Sequence, residues 1–137
     1  ESSRSLKIGK GSILRDGDDV AIIACGVMVY KAMKVADILQ ADGISTTVID
    51  MHTIKPLDTE LGSDLARRCN GIVTVEDHSV IGGLGSAVAS HLSTTNPTRI
   101  KMLGVDDRFG ESGGSEELLE LMSLDISDIE AACRELL

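Results

Sequence analysis

The sequence predicts an α/β fold, a three-layer α/β/α domain built on a mostly parallel sheet. Two observations predict it. Short apolar runs rich in β-branched residues alternate with segments whose apolar residues recur every three or four positions, and parallel neighbours in a sheet need a helical crossover between them. In addition, 42% of the 137 residues are apolar but only 1% are aromatic. Such a core must be made of aliphatic side chains in tight layers.

Four of the apolar runs are flanked by glycine or aspartate, as buried strands are. They are Val20–Ala24, Thr46–Asp50, Ile72–Glu76 and Ile100–Gly104. The opening residues Ser5–Arg15 are polar and glycine-containing, and we predict one short edge strand in them around Ser12–Leu14. We treat residues 1–16 as a lead-in and residues 17–137 as one domain, since domains of roughly 100 to 200 residues are the rule.

The first predicted helix follows the first buried strand. One face of it is apolar, and Gly43 should end it. The apolar face consists of Val29, Ala32, Met33, Ala36 and Leu39, and the opposite face of Lys31, Lys34 and Asp37.

Three further regions predict the remaining helices. Asp58 is a suitable N-cap for a second helix that ends at Asn70-Gly71, and a third helix should span about Gly83–Ser93. After a glycine-rich loop, Ser115 opens a short helix. A capping box of Ser127 and Glu130 should then begin the last helix.

Charge and cysteine usage exclude several classes of function. Lys and Arg number 13 against 22 Asp and Glu, a formal charge of −9, which repels nucleic acid and anionic membranes. The apolar, uncharged stretch Val20–Tyr30 is about half the ~20 residues that span a bilayer. No leader sequence is visible, and three distant cysteines fit neither a disulfide framework nor a Cys-x-x-Cys site. We therefore expect a soluble cytoplasmic protein with reduced, buried thiols.

Polar residues collect where the predicted strands end. In an open parallel sheet, the loops at the carboxyl ends of the strands converge on one edge, and ligands bind there. Two of the three histidines and most loop glycines follow strand ends. The candidate crevice or interface residues are His52, Asp77, His78, Gly82, Gly83, Gly85, Ser86, Glu111 and Ser112.

The run Gly83–Val88 resembles the start of a dinucleotide fingerprint, in which backbone amides at a helix N-terminus approach a pyrophosphate. Its sixth position is Val88, and no suitable acidic residue follows about 20 positions later. The pattern favours small residues that let the third helix start tightly against the sheet. An anion, or a carboxylate from a partner, at the helix start is the remaining alternative.

Other constellations favour structural roles. Gly110–Gly114 fits the G-x-S-x-G hydrolase pattern, but no histidine follows His91 to serve as a base. Glu76 and Asp77 point to opposite faces of a strand and are interpreted as a solvated or salt-bridged pair. His91 should lie at the border of a packed helix face. The histidine spacing offers no zinc site. We predict no catalytic, cofactor-binding or metal-binding residue in this chain.

An ordered series of motifs resembles the C-terminal domain of transketolase. The series covers residues 17–137, and its order and spacing are more specific than any single member. Its members are Gly17–Val20, Asp50–Asp58, Val75–His78, Gly82–Val88, Arg108–Gly113 and Glu117–Leu119. Similar domains close 1-deoxyxylulose-5-phosphate synthase and the β chain of 2-oxoacid dehydrogenases. The Phe109–Gly113 element favours transketolase itself.

The resemblance implies a five-stranded mixed sheet with one antiparallel strand. It also implies a full enzyme that moves a two-carbon ketol unit between sugar phosphates with thiamine diphosphate and a divalent metal, Mg or Ca. In such enzymes the cofactor lies between pyrimidine- and pyrophosphate-binding domains of two subunits, so a homodimer is implied. This domain would then be structural and dimer-supporting. A regulatory module that binds a small anion and an interface module stay open as alternatives.

Overall fold

The computed structural model describes residues 6–106 and 114–137, which fold around one five-stranded sheet in the order β1-β3-β2-β4-β5. The strands from β2 to β5 are parallel, and β1 pairs antiparallel with β3. The strand bounds are β1 Ser12–Arg15, β2 Val20–Ala24, β3 Thr46–Asp50, β4 Ile72–Ser79 and β5 Ile100–Val105. The prediction of a mostly parallel sheet with one antiparallel edge strand is confirmed.

Helices cover both faces of the sheet, as predicted. Helices α1 and α5 pack with one apolar cluster, and α2 and α3 pack with a second cluster on the opposite face. Their bounds are α1 Met28–Ala41, α2 Thr59–Arg68, α3 Leu84–Thr95, α4 Ser115–Leu121 and α5 Ile126–Leu136. Strand β2 lies at the centre, and all five of its residues are fully buried. Every cysteine is free and buried.

Two predicted helix signals act as expected. Asp58 caps α2, because its Oδ1 accepts a hydrogen bond of 3.2 Å from the Leu61 amide. Gly43, just beyond α1, has φ +78°, which glycine adopts without the steric cost that a Cβ would bring. These two signals set the ends of the elements on either side of β3.

The capping box of the last helix was predicted at the wrong residues. Helix α5 begins one residue before Ser127, and the reciprocal box consists of Asp125 and Asp128. The Asp128 carboxylate accepts from the Asp125 amide at 3.0 Å. Fully buried Leu124 precedes the cap, so its packing in the core decides at which residue the helix begins. The local sequence pattern of capping residues does not contain that information.

Lys31 was predicted on the solvent face of α1 but is 6% exposed. Its Nζ donates to Glu116 Oε2 at 3.0 Å and to Asp125 Oδ1 at 2.8 Å. Helix α1 therefore packs on the sheet with one face and reaches the starts of α4 and α5 with another. Burial disfavours the charged ammonium, but these two hydrogen bonds outweigh it and raise the Lys31 pKa. A buried charge with partners on two other elements ties three helices together.

We expect the Lys31→Met variant to lose a pH-dependent part of its stability. The hydrogen bond from Lys31, with a smaller contribution from the Ile126 amide, lowers the Asp125 pKa. A carboxyl whose pKa is lowered on folding stabilises the protein above its unfolded pKa of about 3.9, and that stability is lost as the pH falls through the folded pKa. The deficit of Lys31→Met should therefore be largest near neutral pH and shrink below about pH 4.

Urea unfolding at a series of pH values measures this deficit. Lys34→Met is the matched control, because Lys34 is exposed on the same helix with its Nζ 5.4 Å from the centre of the Tyr30 ring. A Lys31→Met deficit that does not change with pH would contradict the assigned ion pair.

Candidate functional site

The order in which the chain adds strands reverses between β2 and β4. From β2 the chain continues to β3 on one side of the sheet, and from β4 it continues to β5 on the other side. The two strands are neighbours, yet the helices that follow them, α1 and α3, lie on opposite faces. The connections therefore separate and leave a gap at the edge of the sheet, which is where open α/β sheets bind ligands. The predicted candidate residues around β4 and α3 lie at this point.

Glu76 occupies the place that an anion would take. Its side chain is 1% exposed; Oε2 accepts from the Leu84 amide at 2.7 Å and Oε1 from the Gly85 amide at 2.9 Å. A helix N-terminus presents free amides and a partial positive charge, both of which favour a carboxylate. The interpretation of Glu76 as a member of a solvated or salt-bridged pair was wrong. Its carboxylate caps α3 from inside the domain.

The glycines at the start of α3 are explained by close packing. A Cβ on Gly83 would overlap the Glu76 carboxylate and lie 2.8 Å from the Ser79 carbonyl oxygen. One on Gly85 would lie 2.7 Å from Thr74 Oγ1. The prediction that small residues let this helix begin tightly against the sheet is confirmed, and the carboxylate predicted as one alternative for the helix start comes from the chain itself.

A hydrogen-bonded turn joins β4 to α3. Gly82 has φ +79°, and its amide donates to Ser86 Oγ at 3.0 Å. Ser86 Oγ in turn donates to the Val80 carbonyl at 2.7 Å. The hydroxyl of Ser86 and the amide of Gly82 are therefore engaged with each other.

Asp77 and His78 lie on the outer side of this turn. The His78 side chain is 61% exposed, with Nε2 3.4 Å from Asp77 Oδ1 and Nδ1 4.0 Å from Glu76 Oε2. Strand β4 has a register shift after Val75, which lets consecutive residues of the strand face one another. The result is an imidazole between two carboxylates, an arrangement that favours a cation or a hydrogen-bond donor over a phosphate.

Cys25 follows β2 at the same point but is not set up as a nucleophile. Burial first, and then the negative charges of Glu76, Asp77 and Asp50, raise the pKa of its thiol to about 11. At neutral pH the sulfur stays protonated, and it is the thiolate that reacts.

The other two histidines lie apart from this cluster. His52 Nε2 is 3.1 Å from the Lys7 carbonyl oxygen, so the ring holds the lead-in at the end of β3. His91 Nε2 is 2.9 Å from Ser63 Oγ between α2 and α3, at the border of a packed face as predicted. Glu111 and Ser112, the last two candidate residues, lie outside the described residues.

Sequence reasoning thus placed six of the candidates in one connection, namely Asp77, His78, Gly82, Gly83, Gly85 and Ser86. The role of Glu76 was missed. Glu76 is the last residue of the predicted strand, and the helix after it starts at Gly83-Leu84-Gly85, where the N-cap glycine has no side chain to accept from the first amides. This combination was the available signal. Whether the candidates bind a ligand stays a prediction.

The fold and this edge define a class of domain: a doubly wound α/β unit whose own carboxylate closes the helix N-terminus at the switch point. The family model for "Transketolase, C-terminal domain" matches residues 9–129. The chain belongs to this family.

Relatives and a solved structure agree with the family. A putative transketolase C-terminal section from Methanocaldococcus jannaschii is 43% identical over 126 residues, 91% of this chain and 39% of the relative. A 6-deoxy-6-sulfo-D-fructose transketolase subunit from a Clostridium species is 42% identical over 93% of this chain and 40% of the subunit. A 1-deoxy-D-xylulose-5-phosphate synthase from Geobacter sulfurreducens is 44% identical over 94% of this chain and 21% of the synthase.

The solved structure is described as a split gene transketolase, inactive β4 tetramer. It superposes with a TM-score of 0.91 at 45% identity, covering 96% of this chain and 43% of that one. The chain therefore spans about two fifths of the length of the split and C-terminal relatives, and about a fifth of the synthase. Across residues 6–106 and 114–137, none of the helices has the length and apolar character to cross a bilayer.

Proposed function

We propose that this chain is the structural, dimer-supporting C-terminal domain of a thiamine diphosphate-dependent transferase of the transketolase type. The full enzyme transfers a two-carbon ketol unit between sugar phosphates, and the isolated domain is inactive. The family membership and the names of the relatives support the transferase class. The domain would comprise residues 17–137, with residues 1–16 leading into it.

The observation that carries the non-catalytic role is the Glu76 carboxylate at the start of α3. Binding the diphosphate of thiamine diphosphate at a helix start would need free amides and open space. The amides of Leu84 and Gly85 are taken by Glu76 at 2.7 and 2.9 Å. The negative charges of Asp77 and Asp50 lie near the same strand ends. The residues at this edge do not fit the cofactor, so we assign it and its divalent metal to other domains.

Those other domains are the proposed partners. They are a pyrimidine-binding and a pyrophosphate-binding domain, carried by the same polypeptide or by a separate subunit, in an enzyme that works as a homodimer. The solved relative described as an inactive β4 tetramer of a split-gene transketolase supports a separate subunit, because a split gene divides one enzyme between two polypeptides. The three free, buried cysteines support a cytoplasmic location, and the formal charge of −9 argues against nucleic-acid or anionic membrane partners.

Two alternatives have specific support. The match to 1-deoxy-D-xylulose-5-phosphate synthase at 44% identity favours a C-terminal domain of that enzyme. The Phe109–Gly113 element favours transketolase instead. The β chain of a 2-oxoacid dehydrogenase is the third enzyme with a similar C-terminal domain. The exposed His78 beside Asp77 favours a regulatory site for a small ligand. The filled helix start weighs against an anion as that ligand.

Calorimetry and turnover assays test the proposal. The purified 137-residue chain should show no saturable, magnesium-dependent binding of thiamine diphosphate and no conversion of ketose and aldose phosphates. The full-length protein, with any separate subunit, should show both. Binding or turnover by the chain alone would overturn the non-catalytic assignment, and pyruvate-dependent condensation by the full protein would favour the synthase.

A further inference from the structure

The polypeptide enters the domain at the carboxyl edge of the sheet. Strand β1 runs antiparallel to β3 with Ser12 opposite Asp50, so the start of β1 lies where β3 ends. The lead-in is fixed there by side chains of the β3–α2 loop: the Gly9 amide donates to Thr53 Oγ1 at 2.9 Å and the Gly11 amide to Asp58 Oδ2 at 3.0 Å. Any segment that precedes residue 6 therefore starts at this edge.

Large apolar side chains are exposed at the same edge, which we call the entry edge. Five of them, each between 60% and 82% exposed, lie beside the ends of β3, β2 and β4. These strands are neighbours in the sheet, spaced about 4.8 Å apart. The five side chains are Leu6, Ile8, Val27, Tyr30 and Ile81. Apolar groups gathered on one side of a domain mark an interaction surface.

The entry edge also contains a groove of about 290 Å³. Val27, Tyr30 and Leu119 line it, and Lys31 and Glu116 form its polar side. An apolar wall with one ion pair is suited to receive a side chain of a partner, since the strongest contacts in interfaces fill such pockets.

The opposite edge of the sheet is built differently. Arg68 pairs with Asp16 at 2.7 Å and with Asp18 at 2.9 Å, and Arg134 pairs with Asp42. The exposed large apolar residues closest in sequence to Asp42 and Arg134, Ile38 and Leu137, are 39% and 48% exposed, less than any of the five at the entry edge. One edge is thus covered by paired charges, while the edge at which the chain enters carries exposed apolar side chains beside the polar residues Asp77 and His78.

We propose that the entry edge is the docking surface for the polypeptide segment that precedes residue 6 in the full-length protein. This rests on the proposed function, which makes the chain the C-terminal part of a longer enzyme. A segment joined at Leu6 is held within a few residues of the exposed side chains, and such a tether makes docking intramolecular and independent of concentration. In the relatives, more than half of each chain lies outside the matched region, which is enough polypeptide to cover such a surface.

Thiol labelling of the full-length protein tests the docking surface. Ile81→Cys places a thiol on the entry edge, and Ile38→Cys places the control on the exposed face of α1, away from that edge. Cys25, Cys69 and Cys133 are buried and their thiol pKa values are raised to about 11, 11 and 12, so they react slowly. In the domain itself position 81 is more exposed than position 38, at 68% against 39%, and without docking it would react faster.

We expect the Ile81→Cys thiol to react with a maleimide at least tenfold more slowly than the Ile38→Cys thiol, at every protein concentration tested. Equal reactivity in denaturant shows that both thiols are competent. An Ile81→Cys thiol that reacts as fast as the control overturns the proposal, and so does protection that disappears on dilution, which would assign the edge to a second copy. Ketol transfer is assayed separately on the same protein: protection without activity rejects the proposed function alone, and activity without protection rejects the docking surface alone.

Discussion

Replacing Glu76 with glutamine is expected to lower the free energy of unfolding by about 2–3 kcal/mol. The substitution keeps the size of the side chain but turns one of its two acceptors into a donor that faces a helix amide. The amides of Leu84 and Gly85, which now donate to the carboxylate at 2.7 and 2.9 Å, would share a single acceptor. The loss also removes a negative charge from the positive end of the α3 dipole.

Urea unfolding at pH 7 measures the effect. The dependence of the free energy of unfolding on urea concentration should be the same in parent and variant, which shows that the denatured state is unchanged. Asp77→Asn is the matched control, because it removes the neighbouring charge from a side chain that is 35% exposed. The control should change stability by less than about 0.5 kcal/mol. Equal effects of the two substitutions would show that the Glu76 carboxylate does not cap the helix.

Replacing Gly83 with alanine is expected to destabilise the domain by about 3 kcal/mol or more. The new Cβ would lie 2.7 Å from Glu76 Cδ and 2.8 Å from the Ser79 carbonyl oxygen. The second neighbour is backbone and cannot rotate away. The φ of Gly83 is −92°, so the cost comes from contact and not from the backbone conformation.

Gly62→Ala is the matched control for this substitution. Gly62 lies inside α2, where the nearest atom to a new Cβ is His91 Cδ2 at 4.0 Å. Alanine in a helix interior is favoured over glycine by roughly 0.5–1 kcal/mol, so this variant should be more stable than the parent. If the Gly83→Ala variant does not fold, the same substitution is introduced into the more stable Gly62→Ala protein, and its effect on the free energy of unfolding is measured there. A Gly83→Ala variant as stable as the parent would contradict the packing described for α3.

Together these results would establish how the switch point of this sheet is used. In a dinucleotide-binding fold the glycine-rich turn leaves amides free for a ligand. Here the chain supplies its own carboxylate from β4, and the glycines bring the helix close enough to meet it. The same turn therefore stabilises the domain, while the apolar side chains around it stay available for contact with another part of the protein.

The positions of the strands followed from the sequence because each depends on local patterns. Val20–Ala24 and Thr46–Asp50 were predicted with the bounds that the structure shows, since a run of β-branched residues between turn signals leaves little choice. The cap at Asp58 was predicted for the same reason, because an N-cap bonds within its own helix. The extension of β4 beyond Glu76 to Ser79 was not predicted, as it depends on a register shift against β5.

The sequence alone determined the layers, the order of the elements and the edge on which polar residues meet, because hydrophobic periodicity and turn residues act over a few positions along the chain. Only the tertiary structure decided the partners of the buried charges. Lys31 is buried because α4 and α5 bring Glu116 and Asp125 to it across 85 and 94 positions. Glu76 is buried because α3 folds back onto β4. The identity of a charged residue does not reveal whether it lies in solvent or in the core, because its environment is set by the segments that pack against it.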